Sequence, residues 1–220
     1  MKNWLLTAAT AATLAIGATG ASALGVTISG TTASTPLVVN SFKGKLDDAG
    51  ATTFVQGSLL LTLDTDAILT FSLVGHESGF YNEFLIDDAP ALSESSGGMV
   101  STANFATGVL GTSISRAFSA GNISNRLSFR AVNSASTVIG TYGAGDNNFG
   151  IYFDGVVGDN ITSFFLALDD TVQGPDDNHD DIIVRVDVAA IPLPAAAWLL
   201  LGVSGALVAA KRRAASKAAA

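Results

Sequence analysis

The chain contains no cysteine, and that absence closes several chemistries: a lipoprotein anchor, a thiol nucleophile, and cysteine-ligated zinc or iron–sulfur centres. Positive charge is scarce. There are 11 Lys and Arg against 19 Asp and Glu, and they are unevenly placed. Every acidic residue lies within 24–190, whereas only Lys43, Lys45, Arg116, Arg126, Arg130 and Arg185 of the basic residues do. That stretch therefore carries a formal charge of −13, which the whole-chain value of −8 conceals. Such a body repels nucleic acid and anionic lipid and attracts divalent cations. The chain also lacks a G-x-S-x-G elbow, an HExxH pair, a P-loop and a dinucleotide fingerprint, so no enzymatic activity is expected.

What the chain does have is most specific at its two ends. Lys2 supplies a short positive region, residues 4–18 are uncharged and mostly apolar, and Ala21-Ser22-Ala23 forms an A-x-A site that predicts cleavage before Leu24. Residues 1–23 thus read as a signal peptide. At the other end, Ile191-Pro192-Leu193-Pro194-Ala195 leads an uncharged run to Ala210 and then Lys211-Arg212-Arg213. A helix over 191–210 would cover about 30 Å, the thickness of a bilayer's hydrocarbon core. The two prolines separate it from the preceding sequence, Trp198 suits its interfacial end, and the basic cluster suits the cytoplasmic side.

This order of motif, hydrophobic helix and basic tail resembles the VPLPA-CTERM sorting signal, a bacterial relative of the PEP-CTERM signals. Pro192, Leu193, Pro194 and Ala195 match it, and Ile191 stands where that family usually has Val. The resemblance covers about the last thirty residues. It implies an exported precursor anchored in the inner membrane, cut at or near the motif by an exosortase-like membrane enzyme, and passed to the cell surface or extracellular matrix.

Between the ends, residues 24–190 read as one exported acidic domain, β throughout. In 126–132 Leu127, Phe129 and Ala131 alternate with Ser128 and Arg130. In 149–154 Phe149, Ile151 and Phe153 alternate with Gly150, Tyr152 and Asp154. In 182–188 Ile182, Val184, Val186 and Val188 alternate with Ile183, Arg185 and Asp187. Residues 58–64 and 68–74, joined by the short turn Asp64-Thr65-Asp66-Ala67, predict an antiparallel hairpin. Gly, Ser, Asn and Asp clusters punctuate the strands, and no long amphipathic helix appears outside the termini. The expected fold is all-β, an antiparallel jelly-roll-like β-sandwich, flanked by the signal peptide and a C-terminal transmembrane helix.

The strongest chemical cluster is the loop 169–181, with six carboxylates and Asn178 between two apolar strands. These charges repel one another unless they are solvated or neutralised, and calcium takes six to eight hard oxygen ligands of this kind. Asp176, Asn178 and Asp180 have the first three spacings of an EF-hand loop. However, Asp181 stands where that loop needs Gly, Asp187 replaces its Glu, and a strand follows. The stretch also resembles an acidic element joining two strands in secreted PEP-CTERM-type β-sandwich proteins. The matching residues are Leu168, Asp169, Asp170, Asp176, Asn178, Asp180, Asp181, Ile183 and Val184. That resemblance implies calcium held by Asp169, Asp170, Asp176, Asn178, Asp180 and Asp181. The competing reading is a solvated acidic loop that keeps a sheet edge soluble.

A second polar patch runs from His76 through Glu77, Ser78, Phe80, Tyr81, Asn82 and Glu83 to Asp87-Asp88. Glu77 and Glu83 have the chemistry for acid/base work on a glycoside if they face across a cleft. The alternative is a connecting loop, or at most a sugar-binding platform, and His179 reads as a residue of the acidic loop. The leading expectation is a non-enzymatic surface or matrix protein. A carbohydrate-binding module of the exopolysaccharide matrix comes second and a glycan-active hydrolase third.

Overall fold

In a computed structural model, residues 24–33, 35–94, 100–170 and 178–191 are described. Ala21, Ala23, Asp176, the motif from Pro192 to Ala195 and the expected transmembrane helix lie outside the described residues. Strand accounts for 53% of the structure and helix for 8%, so sheets rather than helices bury the core. The fold is all-β with antiparallel sheets, as expected. No helix among the described residues is long and apolar enough to cross a membrane.

In chain order the first half comprises β1 (Val26–Thr32), α1 (Thr35–Val39), α2 (Lys43–Asp48), β2 (Thr53–Leu63), β3 (Ala67–His76), β4 (Tyr81–Ile86) and β5 (Ala89–Ser93). There follow β6 (Ser101–Thr102), β7 (Ile114–Phe118), β8 (Gly121–Asn122), β9 (Leu127–Val132) and β10 (Val138–Gly143). The last strands are β11 (Phe149–Phe153), β12 (Asn160–Ile161), β13 (Ser163–Leu168) and β14 (Ile182–Ala190). The large sheet has the order β12-β1-β2-β11-β13-β14-β3-β6, with β7 also on β3 and β8 on β2. The small sheet has the order β10-β9-β4-β5.

The expected hairpin between 58–64 and 68–74 does not form. Its two halves are strands β2 and β3, but β11, β13 and β14 stand between them in the large sheet. In a flat sheet those four steps would separate the strands by about 19 Å. The chain from Leu63 to Ala67 spans at most about 14 Å, so the sheet must curl back on itself. Composition identified both strands but not their neighbours. The connecting turn carries the chain across the core instead of reversing it within the sheet.

Curling puts the inner face of the large sheet around the small one. Phe71 of β3 meets Phe84 of β4 at 5.1 Å between ring centroids, Phe84 meets Phe129 of β9 at 5.4 Å, and Phe129 meets Phe149 of β11 at 5.3 Å. This row of tilted rings joins the two sheets, each pair adding about 0.5–1.5 kcal/mol beyond its burial. The outer face of the central strands is covered as well. Tyr152, Phe165, Ala167 and Ile183 pack there with Phe42 and Leu46 from the α1–α2 segment. Strand β11 is therefore buried at every position, although its sequence reads as alternating between an inner and a solvent face.

The patch around residues 76–88, read as a connecting loop, instead contains strand β4. Its turn to β5 is the pair Asp87 and Asp88, both with positive φ (52° and 63°), the two-residue geometry that matches the twist of a hairpin.

Candidate functional site

The apolar core gives way to polar groups at the end of the sandwich where β3, β4, β13 and β14 terminate. Strand β14 sets this junction, because Ile182 pairs with Leu168 on one side and with His76 on the other. The base of the acidic loop is closed by backbone bonds: Asp181 N–H to Leu168 O at 3.2 Å, and Glu77 N–H to Asp181 O at 3.2 Å. The two polar segments of the sequence, 76–83 and 169–181, thus become neighbours.

Asp170 is the point at which they meet. Its Oδ2 accepts from Asn82 Nδ2 at 2.9 Å and from the Ser78 hydroxyl, and its own N–H donates to Asp181 Oδ2 at 2.6 Å. Asn82 is wholly buried, and Asp170 is 4% exposed. Asn82 faces inward because Phe84 and Asn82 share the inner face of β4, while Glu83 between them faces outward onto Arg130, with Nε–Oε2 2.7 Å. Glu83 is thus held by an arginine on the outer face of β4.

The acidic loop does not act as one unit. Asn178 turns its backbone carbonyl to Asn40 Nδ2 (2.8 Å) and the Tyr152 hydroxyl (3.0 Å), and Asp180 accepts from the Ser41 N–H at 2.7 Å. Both therefore fasten the α1–α2 segment to the outer face of the large sheet. Asp181, adjacent in sequence, points the opposite way, toward Asp170. Asn148 Nδ2 donates to the Asp169 carbonyl at 2.7 Å, and Asp169 is itself buried. Among the described residues, Asp170 and Asp181 meet directly, the backbone N–H of the first on the carboxylate of the second.

His179 is not a loop residue in solvent. It is 1% exposed, its ring lies edge-on to Phe54 at 4.8 Å, and Nε2 is 2.9 Å from Asn147 O. Gly150 makes room for that stack, since a Cβ there would fall 2.4 Å from the Phe54 ring and 2.7 Å from the His179 ring.

Two residues that sequence reasoning did not single out complete the site. Glu94, just past β5, accepts the Asn82 N–H on Oε1. Its Oε2 lies 3.2 Å from His76 Nδ1, yet the angle leaves both atoms without a hydrogen bond. Burial raises the Glu94 carboxyl to about 8, the Asn82 N–H opposes that rise, and the negative charge of Asp170 adds to it. Burial also lowers His76. Both shifts favour the neutral forms, so this contact is not an ion pair at neutral pH. Tyr142 of β10 is 8% exposed, and its hydroxyl has no hydrogen-bond partner among the described residues. Its pKa is raised by burial and then by Asp170, Asp169, Asp146 and Asp181 in that order. Asp181 is pushed up to about 9, chiefly by burial, with the Asp170 charge next, the Asp170 N–H opposing, and Asp169 and Asp180 adding.

The result is a buried nest of carboxyl, amide and hydroxyl oxygens. Among the described residues no three acidic or histidine side chains already converge as metal ligands; Asp170 and Asp181 meet as a pair. No family model, curated protein or solved structure matches the chain.

Proposed function

We propose that this chain is a non-enzymatic, exported protein of the cell surface or extracellular matrix, held and processed through its C-terminal sorting segment. The observation that carries this reading is the ordered series of the motif at 191–195, the uncharged run and the basic tail, set behind a body that holds all of the acidic residues. Strand β14 ends at Ala190 and Ile191 is exposed, which supports a boundary between domain and sorting segment at that point. In this reading the curled large sheet around the small one is a jelly-roll-like sandwich, and the loop 169–181 binds calcium. Intact-mass measurement of protein extracted from the cell surface tests the processing: a chain running from Leu24 to near Pro194 is expected. Matrix protein that retains Lys211 to Arg213 would overturn it.

A carbohydrate-binding module is the second reading. It is favoured by an open groove of about 440 Å³ between β3, β5 and β6, lined by the hydroxyl residues Ser93, Ser101 and Thr112 beside His76 and Leu92. Retention of the protein on exopolysaccharide, lost on Thr112→Ala with Ser101→Ala, would favour it over the first.

A further inference from the structure

We propose that the groove between β3, β5 and β6 binds an uncharged sugar unit, with His76 donating a hydrogen bond to it from Nε2 and Glu94 behind it as the positioning residue. This rests on the carbohydrate-binding reading of the chain. It deepens that reading by naming the contact, its polarity and the charge of the ligand.

Strand register places His76 where such a contact is needed. It pairs with Ile182, which belongs with Val184 and Val186 to the inner, core-facing row of β14, so the imidazole faces the space between the two sheets. There it meets Glu94, just past β5 of the small sheet. His76 is only 2% exposed, yet it lines the groove. Its Nδ1 is turned to Glu94 Oε2 at 3.2 Å, and both atoms are buried without a hydrogen bond. Native folds rarely leave buried polar atoms so, and a small rotation of either side chain aligns this pair. Nε2, at the far corner of the ring, takes no hydrogen bond among the described residues, and it is the atom left for a ligand.

The neighbour sets the tautomer. In a neutral imidazole one nitrogen donates and the other accepts, and the hydrogen bond made at one decides the role of the other. Burial keeps the Glu94 carboxyl protonated up to about 8 and lowers His76, so at pH 7 both are neutral. The Glu94 O–H then donates to Nδ1, and the ring N–H stays on Nε2. Once Glu94 ionises, its carboxylate accepts from Nδ1–H instead and Nε2 becomes an acceptor. The groups facing Glu94 in this titration are His76 of β3, Asp170 from the segment after β13 and the Asn82 N–H of β4, with Asp181 behind Asp170.

The walls define the ligand. Ser93, Ser101 and Thr112 supply hydroxyls and Leu73, Leu92 and Leu110 supply apolar surface around about 440 Å³, the mixture of apolar contact and a few orienting polar groups that small ligands use. A sugar ring has the same mixture, hydroxyls at its edge and C–H bonds on its faces. No Lys, Arg, Asp or Glu lines the groove among the described residues. An anionic sugar would thus approach a strongly acidic body with no cation to receive it.

The test is retention of the full chain on immobilised exopolysaccharide at pH 7, native and after chemical reduction of its carboxyl groups to alcohols, with melting temperature as the check on folding. Retention should persist on the reduced polymer. His76→Gln carries its amide near the position of Nε2 and His76→Asn near that of Nδ1. The Gln variant should therefore stay within about threefold of the unsubstituted chain while the Asn variant loses roughly tenfold. Glu94→Gln mimics the protonated acid, so it should bind normally at pH 7 and remove the severalfold fall expected between about pH 7 and 9. Should a His76 variant fail to fold, that profile decides. Equal affinity of the two His76 variants, or loss in the Gln variant alone, overturns His76 as the donor, and a fall that survives Glu94→Gln overturns Glu94 as its positioning residue. Loss of retention on carboxyl reduction overturns the uncharged ligand. If Thr112→Ala with Ser101→Ala abolishes retention while both His76 variants keep it, the groove reading stands and this inference falls. No retention of the unsubstituted chain on either polymer overturns the carbohydrate reading itself.

Discussion

Four carboxylates on the outside of this sandwich are held by arginine or lysine, whereas three inside its polar end are held by neutral donors. Outside, Glu83 has Arg130, Asp187 has Arg185 with Nε–Oδ2 2.9 Å, and Asp47 has Lys43 one helical turn away. Asp87 takes both arms of Arg126 at 2.6 and 2.7 Å, and that guanidinium also lies over the Phe118 ring at 4.1 Å. Inside, Glu94, Asp170 and Asp181 are held by neutral donors: backbone N–H groups, an amide and a hydroxyl. The pKa shifts record the difference. The hydrogen bond from Arg126 lowers Asp87, whereas burial raises Glu94 and Asp181. The few basic residues of the body serve the exterior, and the interior charge is left to protons or to a cation.

The largest expected effect follows from those raised values. Glu94 titrates near 4.5 when unfolded and about 8 when folded, and Asp181 near 3.8 and about 9. Between these limits the native state holds protons that the unfolded chain has released, so stability falls as pH rises. The groups facing Glu94 are His76 and Asp170. His76 is lowered on folding, so its contribution runs the other way, and stability from it increases with pH up to about 6.5. The net loss is therefore steepest between about pH 6.5 and 8, and slows above 8 once Glu94 has ionised in the folded state. Urea unfolding in chelator should show a decline on the order of 2–3 kcal/mol across that window, a figure already discounted for solvent screening. A flat or rising profile would erase the contrast between interior and exterior.

Next in size is Asp170→Ala. It leaves the buried Ser78 hydroxyl and the Asn82 amide without an acceptor, and should cost about 2 kcal/mol at pH 6 in urea unfolding. The same change removes the nearest negative charge from Asp181 and Glu94, so the decline toward pH 9 should become shallower. A variant that loses stability yet retains the full pH slope would assign that slope to groups other than these two.

Much of this fold was legible in the sequence because alternation is local. Strands β9 and β14 stand where period-2 patterning puts them, with Leu127, Phe129 and Ala131 inward and Ser128 and Arg130 less buried. The neighbour of each strand is not local, which is why the Asp64 to Ala67 turn read as a hairpin. The acidic loop was legible as chemistry but not as geometry. The spacing of Asp176, Asn178 and Asp180 drew attention to side chains of which Asp180 instead caps the Ser41 N–H, while Asn178 contributes its backbone carbonyl. Ser78 and Asn82 were visible only as members of a polar patch, and Glu94 and Tyr142 carried no signal. They reach the site through pairings between β3 and β14, β4 and β9, and β9 and β10. Asn82 alone left a trace, a polar residue at an inward position of a strand, readable once the register of β4 is known.

The smallest expected effect lies on the exterior. Arg126→Ala removes a two-armed ion pair and a ring contact, but Asp87 is largely exposed, and surface pairs contribute little. A loss of no more than about 1 kcal/mol is expected. Its pH dependence has the opposite sign to that of the interior. Because Arg126 depresses Asp87, the contribution is present above the unfolded value of 3.8 and disappears as pH falls through the lower folded value. Salt separates the two classes further. At 1 M the screening length falls to about 3 Å, so the Arg126 contribution should nearly vanish while the decline between about pH 6.5 and 8 persists. The decline has its main cause in burial, which added salt does not reverse. If 1 M sodium chloride flattens the alkaline decline as well, water and ions reach Glu94 and Asp181, and the polar end of the sandwich is an open surface instead of a buried nest.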